Sequence, residues 1–184
     1  MILRRKFIII SFIVLMGGLL AASDVPEPLK AVRPQLLSVG SSTLRWFGIH
    51  VYDMSLYTED QTYTTNNAAV LSILYHISIK HRRLQDTTLE EWQRMNKGTP
   101  EQREAWIKEL DAMWPDIKSG ESLSAYRQSD GPTQFYFGDR LLGEIADPAF
   151  GPAFFAIWLD AECRYPKLRD KILIPNKTSK KEGH

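Results

Sequence analysis

The hydrophobic period of this chain switches from strand-like to helix-like and back again, and that succession restricts the fold more than any single motif. Residues 36–59 read as strand. Leu44, Trp46, Phe47, Ile49, Val51, Tyr52, Leu56 and Tyr57 are branched or aromatic types that suit a pleated, half-buried surface. Gly48 and Asp53-Met54-Ser55 mark places to bend, bulge or turn, and the polar residues 59–68 read as a loop. Val70 to Ile79 is a second strand, with Ser72, His76 and Ser78 on one face. The period then lengthens. Asp86 or Thr87 caps a helix through Leu89, Trp92, Gln93 and Met95, and Gly98 ends it. Thr99-Pro100-Glu101-Gln102 opens another, with threonine at N-cap, proline at N1 and glutamine at the capping-box position. That helix buries Trp106, Leu110, Met113 and Trp114 and stops at Pro115.

Strand signals return at 122–128 and 133–137, and Gly138-Asp139 turns the chain into a hairpin partner at 140–145. Asp147-Pro148 starts an apolar helix through Phe150, Phe154, Phe155, Ile157, Trp158 and Leu159. A short helix over Pro166–Ile172 closes at Pro175. Strands, helices, strands and helices in that order predict an α+β fold, an open-faced and mainly antiparallel sheet with helices packed on it. No internal repeat or second domain is visible.

The ends of the chain read differently. Arg4, Arg5 and Lys6 precede an apolar run from Phe7 to Leu20, and Ala21, Ala22 and Ser23 supply small residues for a signal peptidase. The run is shorter than the roughly 20 apolar residues of a membrane span. Residues 1–23 are therefore expected to be a cleaved signal peptide, 24–176 the folded domain and 177–184 a basic tail, in a periplasmic or secreted protein with no stable span. The leader holds three of the 23 basic residues and none of the 22 acids, so the mature chain carries about −2. That balance excludes the basic footprint of a nucleic-acid binder. Cys163 is the single cysteine, so no internal disulfide is available and the core alone must hold the domain.

Motifs for familiar chemistries are missing. There is no Gly-x-Ser-x-Gly elbow, phosphate-binding glycine loop or zinc-binding His-Glu-x-x-His helix, and no cofactor is expected. The histidines stand at 50, 76, 81 and 184. His76 and His81 are five apart at a strand end, which is poor ligand spacing, so no metal is expected. Cys163 follows acidic residues, which raise a thiol pKa, and reads as a packing residue or a surface accident rather than a nucleophile. Asp53 and Asp147 read as turn and cap residues.

Four stretches together resemble the exported bacterial branch of the chalcone isomerase-like family. They are the segment from Gly40 through Arg45 to Tyr57, with a Val-Tyr-x-x-x-Leu-Tyr strand; Val70–Tyr75; Trp114–Leu123, with Glu121 in place of the usual aspartate; and Gly143–Phe150 followed by Phe154–Asp160 and Pro166–Arg169. The resemblance covers about residues 36–174. It implies a ligand cleft between sheet and helices. It also implies one of two activities: cofactor-free cyclisation of a chalcone, or fatty-acid binding with an arginine and a tyrosine on the carboxylate.

Carried over residue by residue, the resemblance makes Arg45 the family arginine, able to fork onto a carboxylate or a developing enolate. An arginine in a strand equally pairs with surface acids. Tyr52 falls near the catalytic threonine of the plant enzymes, which argues against cyclisation. Tyr52 and Tyr75 could donate phenol O–H groups to a ligand, or could simply be core residues. Ser42 replaces a glycine expected beside Arg45. No residue stands out as catalytic. The expected function is binding of a small amphipathic ligand such as a fatty acid. A cofactor-independent isomerase for a phenolic enone and a ligand-free envelope interaction domain are the alternatives.

Overall fold

The computed structural model describes residues 25–174. A helix, α1 (Glu27–Val32), precedes the strands β1 (Leu37–Trp46), β2 (Ile49–Thr58) and β3 (Ala69–Tyr75). Helices α2 (His81–Arg94) and α3 (Pro100–Met113) follow. Then come β4 (Ser122–Arg127), β5 (Thr133–Phe137), β6 (Arg140–Ile145), α4 (Phe150–Leu159) and α5 (Pro166–Leu173). The strands form one sheet in sequence order, each antiparallel to the next. This is the expected α+β open-faced sheet with a layer of helices. The expected leader and tail lie outside the described residues. Among those described, no helix is long and apolar enough to cross a membrane.

Local chemistry explains some of the element ends. Thr99 accepts from the Gln102 N–H at 3.2 Å, and the Thr99 N–H donates to the Gln102 side chain at 2.9 Å, completing the capping box of α3. The expected long strand of 36–59 splits at Phe47-Gly48. Both residues have positive φ, 47° and 81°, as a two-residue hairpin turn matched to strand twist requires. Glycine adopts this conformation freely; a phenylalanine pays for it.

Elsewhere tertiary contacts override the local pattern. α2 begins at His81, not at Asp86 or Thr87. Its Lys80 N-cap makes no side-chain cap bond. Instead the Asp116 carboxylate, 35 residues away, accepts from the His81 N–H at 3.0 Å. β3 stops at Tyr75 rather than Ile79, because the chain turns away and Ile79 bridges Ile117. Asp53 is no turn residue; it sits within β2, paired with Thr43 and Leu74. Met113 is only half-buried. The six-residue α1 lacked a sequence signal. It lies on the sheet face away from the main core, where Leu29 and Val25 cluster with Val70, Tyr126 and Tyr136.

The main core lies between the sheet and α2–α4. Trp92, Trp106, Phe135, Phe150 and Phe154 meet edge-to-face or stacked with ring centroids 5.2–5.8 Å apart. Such pairs contribute about 0.5–1.5 kcal/mol each beyond area burial. The indole of Trp92 donates to the Ala153 carbonyl at 3.0 Å and that of Trp106 to Asp147 at 2.9 Å. Asp147 also accepts from the Ala149 N–H, so it both turns the chain and ties α3 to the start of α4. Cys163 is buried, and that burial pushes its thiol pKa up.

Candidate functional site

A cleft of about 600 Å³ separates the sheet from the helices on the side of β1–β3. Its floor comes from alternate residues of the strands, including Tyr52, Leu71, Ile73, Leu123 and Phe135, and its roof from Leu84, Phe154, Ile157 and Trp158. The volume lies in the range of small-molecule sites, and the walls are mostly apolar, as such sites are.

Polar groups are few and placed at different depths. Tyr52 and Tyr75 are register partners on β2 and β3, with rings 5.9 Å apart, and both line the cleft. The Tyr52 phenol oxygen accepts from the Trp158 indole at 2.9 Å, leaving its own O–H free to donate. Burial pushes both phenols well above their ordinary pKa, so they stay protonated at neutral pH. Trp114, also in the wall, is 5% exposed, and its indole N–H has no hydrogen-bond partner, unlike those of Trp92, Trp106 and Trp158. An unpaired buried donor costs about 1–3 kcal/mol, which a ligand acceptor would recover.

The rim is cationic. Lys80, Arg83 and Arg164 border the cleft. Lys80 pairs with Asp116 at 2.7 Å, and Arg83 approaches Glu90 only at 3.9 Å. Glu91, 4% exposed, is shared between two guanidiniums, Arg94 and Arg164, and this triad carries one net positive charge. The Glu91 carboxylate raises the Arg164 pKa and orients its fork through Nε. Both Nη groups of Arg164 remain for a ligand. Neither Arg164 nor Glu91 was singled out from the sequence; 73 positions separate them, and no local pattern links them.

Arg45 lies outside the cleft. Leu44 and Trp46 on either side of it line the cavity, and alternation along β1 turns Arg45 to solvent, next to a register shift between Leu44 and Arg45. Trp46 and Phe47 form the tip of the β1–β2 hairpin at the cleft mouth. They are 59% and 88% exposed and pack edge-to-face on each other at 4.8 Å.

A second cluster lies around the middle of β2. Asp53 accepts at Oδ1 from Thr43 Oγ1 at 2.5 Å and meets His50 Nε2 there at 2.8 Å; its Oδ2 meets His76 Nε2 at 2.8 Å. The two imidazoles stack with centroids 3.7 Å apart. Burial works to raise the Asp53 pKa, but the hydrogen bonds from Thr43, His76 and His50 outweigh it and hold the carboxyl below its usual range. The spacing of His76 and His81 drew attention in the sequence, yet His81 turns instead to Asp116 at 3.0 Å.

Comparison with known proteins comes down on one family. The family model for chalcone isomerase-like proteins matches residues 20–174. An uncharacterized protein of Haemophilus influenzae is 28% identical over 144 residues, covering 77% of this chain and 69% of its own length. Among solved structures, the Arabidopsis thaliana fatty-acid binding protein AtFAP1 superposes with a TM-score of 0.57 at 8% identity, covering 76% of this chain and 87% of that one.

Proposed function

This chain belongs to the chalcone isomerase-like family, and from that membership we propose that it is a non-catalytic binding protein for a small amphipathic carboxylate such as a fatty acid. The observation that carries this reading is the apolar cleft with its net-positive rim. A buried carboxylate without a counter-charge is costly, so the head group belongs at the rim, on Arg164 and Arg83, with the chain inside. The fold likeness to a fatty-acid binding protein supports the same assignment. The role assigned to Arg45 by family resemblance passes to Arg164 in this reading, because Arg45 is not in the cleft wall. Tyr52, Tyr75 and Trp114 supply donors along the cavity. The exposed Trp46-Phe47 tip stands where a ligand leaving a lipid phase would reach the mouth. The basic, then apolar, then small-residue succession of the sequence over residues 1–23 supports a signal peptide and a mature domain that is periplasmic or secreted.

The isomerase alternative is less well supported. Arg45, the group that the resemblance offers to a developing enolate, is not in the cleft wall. The ligand-free alternative is disfavoured by a cleft that has not filled in. Native mass spectrometry of the protein purified from its cell envelope, followed by titration with a C16 fatty acid, tests the proposal. Retained or saturably bound acid, weakened by Arg164→Ala and unchanged by Arg45→Ala, supports it. A protein that arrives empty and binds no fatty acid refutes it. Binding weakened by Arg45→Ala alone refutes the rim anchor.

A further inference from the structure

We propose that His50, Asp53 and His76 form a binding site for a divalent transition metal of the zinc or copper class, separate from the lipid cleft. The three side chains each offer one ligand atom, and these atoms lie within 4.8 Å of one another. Two imidazole nitrogens and a carboxylate oxygen are a donor set suited to zinc or copper rather than to calcium or magnesium, which prefer oxygen alone. Ligands about 2.0–2.1 Å from a tetrahedral zinc stand roughly 3.3 Å from each other, so the three atoms must draw together by up to about 1.5 Å to share an ion.

The supporting structure is already in place. Both Nε2 atoms converge on a single carboxylate, one on each oxygen, at 2.8 Å. His50 and Asp53 belong to β2. The backbone N–H of His76 donates to the Val51 carbonyl at 2.9 Å, which pins the third ligand beside them. Thr43 holds Asp53 Oδ1 from β1, the kind of outer contact that orients a metal-binding carboxylate. The side chains are 27%, 21% and 33% exposed, so an ion reaches them from solvent and a fourth position stays open for water or another donor. The nearest cation in the strand register is Arg45, opposite His50, and its side chain is exposed. A metal needs the bare ring nitrogens and the ionised carboxylate, so metal and protons compete for the same atoms.

The test uses the untagged, chelator-treated full chain titrated with Zn²⁺ and with Cu²⁺ by calorimetry, with thermal melting in parallel. One ion per chain and a raised melting temperature are expected. His50→Ala, His76→Ala and Asp53→Asn abolish both effects, Thr43→Val weakens affinity roughly 10–100-fold, and His81→Ala changes neither. Circular dichroism confirms that each variant folds; Asp53→Asn preserves the shape of the site even if a histidine variant does not. Absence of saturable binding by both metals overturns the proposal. So does binding that persists in Asp53→Asn or depends on His81. Fatty-acid binding plays no part in this readout, so either reading can fail alone.

Discussion

Trp158 on α4 donates its indole N–H to the phenol oxygen of Tyr52 on β2 at 2.9 Å, joining the helical layer to the sheet at the cleft wall. That bond sets the Tyr52 hydroxyl as a donor into the cavity. Tyr52→Phe leaves the Trp158 N–H without its acceptor, at a cost of about 1–2 kcal/mol in urea unfolding. Trp158→Phe, which removes the donor instead, spares the Tyr52 oxygen much of that penalty because the phenol can turn to a ligand or water. The same variants compared in fatty-acid titrations separate the structural part of the bond from its role in the site.

Arg127 is 2% exposed and has no carboxylate partner among the described residues; it donates to the carbonyls of Thr64 and Asn67 and lies within 5.0 Å of the Phe155 ring centroid. It fastens the 59–68 loop to the domain. Arg127→Met is expected to cost about 2–4 kcal/mol and to speed proteolysis within that loop, because two carbonyls lose charged donors. Limited proteolysis with mass mapping checks the location.

Gly40 on β1 faces the backbone of α5, where an added Cβ would lie 2.6 Å from the Ile172 carbonyl oxygen. Backbone cannot swing aside as a side chain can. Gly40→Ala is therefore expected to destabilise by about 1–3 kcal/mol, with hydrogen exchange rising first in α5.

Phe47 holds a left-handed backbone conformation while 88% exposed, so it pays for its geometry without burying its ring. Phe47→Asn, a residue that tolerates this conformation, is expected to raise stability by several tenths of a kcal/mol to about 1 kcal/mol. Under the proposed function the same change slows ligand uptake from lipid vesicles. Equal uptake rates would leave the hairpin tip without that role.

The Asp53 carboxyl has a lowered pKa in the folded protein, so the unfolded chain binds more protons as pH falls below the ordinary aspartate value of about 3.9. The stabilisation is present above that value and is lost as pH drops through the folded pKa. Asp53→Asn should lessen this acid limb in urea midpoints measured between about pH 5 and pH 2, and His81→Ala should lessen it separately, because His81 helps to hold the Asp116 carboxyl low.

The order of strands and helices, the capping box at Thr99 and the turn at Asp147 were all legible in the sequence, because each depends on residues within a few positions; Gly48 was legible only as a place to bend or turn, not as a hairpin that splits the strand. Legibility ended where a partner came from far away. Asp116 receives the start of α2 at His81, five residues before Asp86, the first local cap signal in that stretch, and a helix end is satisfied by whichever acceptor the fold delivers. Tyr52 and Tyr75 could be nominated for the cleft, and they line it, since alternation and register act together on neighbouring strands.

By itself the sequence determined the fold class, the family and the apolar face of each element, because hydrophobic period and turn chemistry are local properties. Only the tertiary structure decided which charges meet. Strict alternation along β2 would set His50 and Asp53 on opposite faces, yet they meet at 2.8 Å. Arg45 turns outward beside a bulge, and Arg164 arrives at Glu91 from the far end of the chain. A functional site is a meeting of side chains, and where side chains meet depends on register, strand twist and helix placement summed over the whole domain.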